Sequence, residues 1–415
     1  MPLLAQSVAE LTASPGMRAC LDWFRKERAW IQEEHLKLCR IPAPTFFEQK
    51  RADYIAERFR ALGWEARIDR AGNVIATLPK LRETPAVAVT AHLDTVFAPR
   101  NPEDIRVSGD GRLLGPGVAD NGAGLSALLA LAAAWMAAPP LENPPAVPML
   151  VANVGEEGEG NLSGMRYFCR QGSAQKLRGF LVLDGPNSDH ITCHALASRR
   201  FEIAVTGPGG HSWRDFGAAN PVHVLARAIS LFSDQAAELN QPQSPRTTFN
   251  FGIFEGGSSI NSIPAEARAK VDLRSEDADL IDRMSNLLSS VVERAVEIEN
   301  SRCSGYLSSG VNGSSLRCTA RMKEIGSRPG GALAADAPIL ECIRAADSYL
   351  GIRSRLDCSS TDANIPLSMG LQAVSIGTGG LGGGAHTSGE WFHPEGRDRG
   401  LQRVLLSLCL LLMSE

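Results

Sequence analysis

An α/β fold with a largely parallel sheet, interrupted by a smaller inserted domain, is what this sequence of 415 residues predicts. Three observations carry the prediction. Short apolar runs of buried-strand type alternate with helical periods as far as Leu183. A β-α-β-β-α-β succession follows between Ala197 and Ile325. The α/β texture then returns after Gly330. A chain of this length exceeds one typical core, so two domains are the default.

The elements are read in order. Met17 to Leu38 places Leu21, Phe24, Ile31 and Leu38 at helical spacing and stops near Ile41-Pro42. Glu48 to Leu62 reads as a second helix ended by Gly63, the residue type expected just past a helix C-terminus. Glu65 to Leu78 and Ala86 to Ala91 read as strands. Leu125 to Ala138 is an Ala/Leu helix stopped by Pro139-Pro140, with a Pro-rich loop after it. Val147 to Val154 and Phe180 to Leu183 suit strands buried on both faces. In the insert come a strand Arg200 to Thr206, a helix Pro221 to Asp234, and strands Thr248 to Phe254 and Ala267 to Leu273. A helix Ala278 to Ile298 and a strand Leu316 to Ile325 complete it, giving four strands with two helices on one face. Pro338 to Leu350 and Arg399 to Met413 are helical, and Ala373 to Ile376 is a strand. The result is a discontinuous domain of residues 1–196 and 326–415 around an insert of residues 197–325.

Composition narrows the function classes. A net charge of −4 gives no footprint for nucleic acid or an anionic membrane surface, so neither is expected as a partner. Nine cysteines without a Cys-x-x-Cys pair exclude zinc ribbons and dithiol redox motifs, and scattered thiols suit a reducing compartment. The N-terminus lacks the pattern of a secretory signal. The apolar run Val404 to Met413 is too short to cross a bilayer. A cytoplasmic protein is expected.

Five short segments set metal-ligand residue types at strand ends or in Gly-rich turns, where open α/β sheets collect ligands. In Ala91-His92-Leu93-Asp94, an extended chain puts His92 and Asp94 on one face, and Asp94 is spaced to accept from the imidazole. Gly117-Val118-Ala119-Asp120-Asn121-Gly122-Ala123-Gly124 holds Asp120 at a helix start, where it reads equally as an N-cap. Gly155-Glu156-Glu157-Gly158 places two carboxylates that repel each other at a strand end. Leu183-Asp184-Gly185 delivers another carboxylate, also readable as a turn residue. Gly384-Ala385-His386 sits in a loop. Each alone has a structural reading; together, in this order, they describe a metal centre with one carboxylate to spare.

This ensemble resembles the co-catalytic di-zinc aminopeptidase and carboxypeptidase family. Its members include peptidase T, glutamate carboxypeptidase, acetylornithine deacetylase, succinyl-diaminopimelate desuccinylase and aminoacylase. The resemblance covers nearly the whole chain. It implies a zinc-exopeptidase-like domain carrying a lid, in which His92 and Asp184 bind one zinc, Glu157 and His386 the other, and Asp120 bridges both. Co2+ or Mn2+ are alternatives to Zn2+. Glu156 becomes the general base, with Asp94 orienting His92. Gly209-Gly210-His211-Ser212 is similar to the family's lid histidine segment. Gly256-Gly257-Ser258-Ser259-Ile260-Asn261 and Val271-Asp272-Leu273-Arg274 resemble its substrate-binding segments, which makes His211, Asn261 and Arg274 substrate residues. Many members carry Asp-Asp where this chain has Asp120-Asn121, and the peptide there is typically cis.

Three functional readings follow. A peptidase T-like exopeptidase on small peptides is favoured, a homodimer through the lid being implied by the resemblance. An N-acyl amino acid deacylase shares the same residues. A non-catalytic metal- or ligand-binding scaffold is the alternative from another class, and a spare Glu156 argues against it. Gly377-Thr378-Gly379-Gly380-Leu381-Gly382 spells a dinucleotide fingerprint, but no helical period opens after it, so it reads as a loop positioning His386. No Gly-x-Ser-x-Gly elbow for a nucleophilic serine is present.

Overall fold

The apolar runs become one nine-stranded mixed sheet in the computed structural model, which describes residues 2–79, 84–170, 177–239, 244–303 and 316–414. Four strands form its centre, in the order Val147–Asn153, Ala86–His92, Leu177–Leu183 and Ala373–Ile376, and each pairs with the next in parallel. Val87, Val89, Leu181, Leu183 and Val374 face one apolar cluster; Ala88, Val151, Phe180 and Val182 face another. A strand buried on both faces has no reason to alternate, which is why these runs are continuously apolar. Antiparallel strands Val74–Thr77 and Glu65–Ile68 extend one side of the sheet. His190–Ala195 extends the other, with Gly331–Ala332 and Arg355–Ser359 as further partners. His92 lies opposite Asn153 and Ile376 opposite Leu183, so the carboxyl ends of the central strands finish at one edge.

Several elements differ from the sequence reading. The single helix expected over Met17 to Leu38 is two, Pro15–Lys26 and Arg28–Cys39, meeting at Glu27. Both put apolar residues into the same core, and a periodic count does not register a one-residue bend. Glu65 to Leu78 folds as two strands because Asp69 Oδ1 accepts the N–H groups of Ala71, Gly72 and Asn73, closing a side-chain turn. The Ala/Leu helix runs from Gly122 to Ala137, starting earlier than its apolar period, and is buried all round from Gly122 to Trp135. Its first turn is glycine for reasons of space. A Cβ on Gly122 would meet Cys39 Sγ and the Gly117 carbonyl, and one on Gly124 would meet the Leu183 carbonyl.

The second compact unit is residues 196–330, with residues 1–195 and 331–415 forming the first. Its four strands stand in the order Thr247–Gly256, Glu266–Ser275, Ala197–Thr206 and Thr319–Arg328, all antiparallel. Phe201, Ile203, Val205, Ala269, Val271 and Leu273 share the face that buries helices Pro221–Leu239 and Ala278–Ser301.

Two buried polar groups in the first unit bear on stability. Arg403, fully buried on the helix Arg397–Met413, is paired twice to Asp347, at 2.6 and 2.9 Å. His35 is buried against Arg397, with Nε2 2.7 Å from the Val118 carbonyl. Burial, then the Arg397 charge, holds this imidazole well below its ordinary value of 6.5. Below that pH the unfolded chain protonates His35 while the folded chain does not, so unfolding takes up a proton. Stability is therefore expected to fall as pH drops below about 6.5, with a slope approaching ~1.4 kcal/mol per pH unit from this group. Denaturant melts of wild type and His35→Gln across pH 5 to 7 would measure it; equal slopes in the two proteins would dismiss the assignment.

Candidate metal centre

The predicted ligands arrive from three strand ends and two turns of the first unit. His92 closes the strand Ala86–His92, Glu156 and Glu157 follow Val147–Asn153, and Asp184 follows Leu177–Leu183. Asp120 precedes the buried helix, and His386 lies at the tip of a hairpin between strands Leu381–Gly383 and Trp391–His393. This hairpin occupies the place where a dinucleotide fingerprint would need a helix. The left-handed φ of 62° at His386 belongs to a tight turn, not to an open loop.

The side chains converge around Asp120. Its Oδ1 lies 3.0 Å from His92 Nε2, and its Oδ2 lies 3.0 Å from His386 Nε2. Asp184 Oδ1 is 3.9 Å from His92 Nε2, and Glu157 Oε1 is 2.8 Å from His386 Nε2. One donor atom from each of His92, Asp120 and Glu157 fall within 4.8 Å of one another. His92 and Glu157 are buried, Asp120 and Asp184 partly so, and His386 is half exposed.

The electrostatics fit a cation. Burial pushes the Asp184 carboxyl up to about 7, and the Asp120 charge adds to the shift. Hydrogen bonds to Asp120 and Glu157 raise His386 to about 10. At His92 burial opposes protonation, but the Asp120 and Asp94 hydrogen bonds outweigh it and raise the imidazole well above its ordinary value. Protons on two inward-facing imidazoles thus supply the positive charge that three carboxylates call for. A divalent cation bound to nitrogen and oxygen donors supplies the same charge and displaces those protons. The donor set therefore fits the metal that the resemblance implies.

Asp94 does more than its spacing suggested. His92 Nδ1 lies 3.0 Å from the Asp94 carbonyl and 3.4 Å from its carboxylate. The carboxylate itself, fully buried, accepts the backbone N–H of Glu156 at 3.0 Å and of Glu157 at 2.9 Å, and the Thr45 hydroxyl at 2.9 Å. It fixes the di-glutamate turn as well as the imidazole. The reading of Asp120 as an N-cap gives way, because Asn121 is the cap: its Oδ1 accepts from Gly124 N at 3.0 Å.

Asn121 also explains the departure from Asp-Asp. Its Nδ2 donates to the Leu183 carbonyl at 2.8 Å, and its Oδ1 also accepts from Gly185 N at 3.2 Å. One amide thereby ties the turn carrying Asp120 to the strand end carrying Asp184, across a peptide that is cis between Asp120 and Asn121. A carboxylate at this fully buried position would oppose the Leu183 oxygen. Asn121→Asp is accordingly expected to destabilise the fold by about 1–3 kcal/mol, the cost of one buried hydrogen bond broken and one polar atom stranded. Thermal denaturation of the metal-free variant would test this, and an unchanged midpoint would refute it.

The residues that the resemblance implies for substrate binding lie in the second unit. His211 sits on a two-stranded ribbon, Gly210–His211 with Ser262–Ile263, and Asn261 directly precedes the second strand. Both are exposed. His211 Nδ1 faces the N–H groups of Trp213 and Arg214 at 3.2 and 3.4 Å, and Asn261 Oδ1 accepts from Ser259 Oγ at 2.6 Å. Arg274 stands on the four-stranded sheet, where its Nε meets Asp272 of its own strand at 2.7 Å.

Two family models match parts of the chain. Residues 197–299 match a peptidase dimerisation domain of the M20 type, and residues 73–204 match peptidase family M28. These partial matches support the resemblance to the co-catalytic metallopeptidase family. A probable carboxypeptidase of Aspergillus terreus is 28% identical to this protein over 264 residues, 58% of this chain. The match spans 59% of that carboxypeptidase's length. A succinyl-diaminopimelate desuccinylase of Nitrosospira multiformis is 24% identical, with 61% of this chain and 69% of that protein aligned. The fold is shared with the aminopeptidase PepT of Bacillus cereus at a TM-score of 0.71 and 20% identity, over 92% of this chain and 98% of the other.

Proposed function

We propose that this protein is a two-metal hydrolase that cleaves an amide or peptide bond in a small, amino-acid-like substrate. The observation that carries the reading is the Asp120 carboxylate, which turns one oxygen toward the His92–Asp184 pair and the other toward the His386–Glu157 pair. Two cations would be held by those pairs, with Asp120 between them; Zn2+ suits the nitrogen and oxygen donors, as do Co2+ and Mn2+. Such cations acidify water and polarise a carbonyl.

The protein's own groups supply the rest. Glu156, buried at 4% exposure beside Glu157, takes the attacking water's proton and returns it to the leaving amine. Asp94 holds Glu156 in place through its backbone N–H. Beside His386 a cavity of about 790 Å³, lined by Phe97, Arg100, Arg106, Pro116 and Thr387, has the volume of a small-molecule site. His211 and Asn261 are the groups proposed to meet the substrate from the insert. Arg274 is proposed as the anchor of a substrate carboxylate, a role for which it must leave Asp272.

Among substrates, a peptidase T-like exopeptidase is the favoured class; the sequence likeness to a carboxypeptidase and to a dipeptidase supports exopeptidase action on small peptides. Deacylation of N-acyl amino acids is the second reading, supported by the likeness to a desuccinylase. A homodimer through residues 197–299 is proposed from the dimerisation-domain match. A cytoplasmic location is proposed from nine free cysteines, most of them buried. Among the described residues no helix is long and apolar enough to cross a membrane.

Elemental analysis paired with chelator-sensitive hydrolysis of mixed small peptides and N-acyl amino acids tests the proposal. Two bound cations per chain and turnover lost to chelator are expected, and the panel assigns the substrate class. A chain that binds no metal under any loading condition overturns the reading.

A further inference from the structure

Glu390 carries a carboxylate that the mechanism above does not use. It is 3% exposed, and among the described residues no lysine, arginine or histidine lies within ion-pair distance. A buried carboxylate of this kind is stable only where hydrogen bonds replace water. Here they come from the backbone of one turn: Oε2 accepts Gly117 N at 2.7 Å, and Oε1 accepts Ala119 N at 2.7 Å and Asp120 N at 2.8 Å. The Glu390 carbonyl accepts Gly115 N at 3.0 Å, and Trp391 pairs with Leu114.

Three N–H groups on two oxygens need a carboxylate. A glutamine has one acceptor oxygen, and its NH2 group would face the remaining donor. The same side chain sits four residues after His386, in the hairpin whose close approach is set by Gly384, where a Cβ would meet the Gly389 carbonyl. The turn presenting Asp120 and the turn presenting His386 are therefore joined through one residue.

We propose that Glu390 is a positioning residue for the cation pair, setting Asp120 between His92 and His386 by holding the Gly117–Asp120 amides. The inference rests on the cation-centre reading. Removal of a group that orients a metal ligand typically weakens metal binding by about 10–100-fold, which is the loss expected for Glu390→Gln.

The test is titration of the chelator-stripped full chain with Zn2+ and with Mn2+. Wild type is compared with Glu390→Gln, with Glu390→Asp, and with Ile343→Ala, a truncation in the core of the helix Pro338–Leu350. Circular dichroism of each stripped protein reports folding. Glu390→Asp keeps the charge but is too short to span all three amides, so it reads the same loss if the glutamine variant fails to fold. Weakened binding in the Glu390 variants with wild-type binding in Ile343→Ala supports the proposal. Wild-type affinity in a folded Glu390 variant overturns it, as does an equal loss in Ile343→Ala, which would make the effect one of general stability. Wild type that binds neither cation overturns the cation-centre reading itself.

Discussion

Glu156→Gln is expected to bind its cations with unchanged stoichiometry and to lose about 10²–10⁴ of kcat, the range that a positioned general base contributes. The expectation follows from the division of the di-glutamate turn. Glu157 reaches His386 at 2.8 Å and joins the ligand cluster, whereas Glu156 is absent from that cluster and is buried at the same strand end. Glutamine keeps the volume and the backbone N–H that Asp94 Oδ1 holds at 3.0 Å, so the turn survives while the proton acceptor is lost. Metal analysis and steady-state kinetics on one preparation separate the outcomes. Full activity removes Glu156 from proton transfer, and a fall in cation content makes it a ligand instead.

Asp347→Ala is expected to destabilise the fold by about 3–5 kcal/mol, the penalty for leaving one half of a buried ion pair uncompensated. Arg403 has no exposure through which to recover water, and both of its bonds to Asp347 are short. The substitution also removes the acceptor of the Ser354 hydroxyl at 2.5 Å. An Asp347→Leu/Arg403→Met double variant is expected to recover much of the loss, because an apolar pair of similar volume needs no compensation. Denaturant unfolding of the single and double variants measures both; a single variant within about 1 kcal/mol of wild type would show that the pair is solvated in solution.

The architecture was legible because hydrophobic burial writes itself into sequence. Strands buried on both faces, such as Ala86–His92 and Leu177–Leu183, leave continuous apolar runs, and the inner face of the second unit leaves alternation. Elements with weaker apolar signals went unread. His190–Ala195 and Arg355–Ser359 lie toward the sheet's edge, and Ser163–Arg170 is a short helix of eight residues. Where one periodic pattern served two helices, at Glu27, the sequence showed their shared core and not the bend.

The ligand-type residues could be found by residue type, by their place at strand ends or in Gly-rich turns, and by their order along the chain, since the open edge of an α/β sheet is where such groups gather. By itself the sequence determined which carboxylates and imidazoles reach the carboxyl edge of the sheet, because that depends on local pattern. Only the tertiary structure decided how they are held. Asn121 bonding to Leu183, Asp94 to the Glu156 and Glu157 amides, and Glu390 to Gly117, Ala119 and Asp120 are contacts between a side chain and a distant backbone. Backbone N–H and C=O groups are the same at nearly every residue, so such a bond leaves no mark on the residue whose backbone takes part, and the partner exists only once the chain has folded.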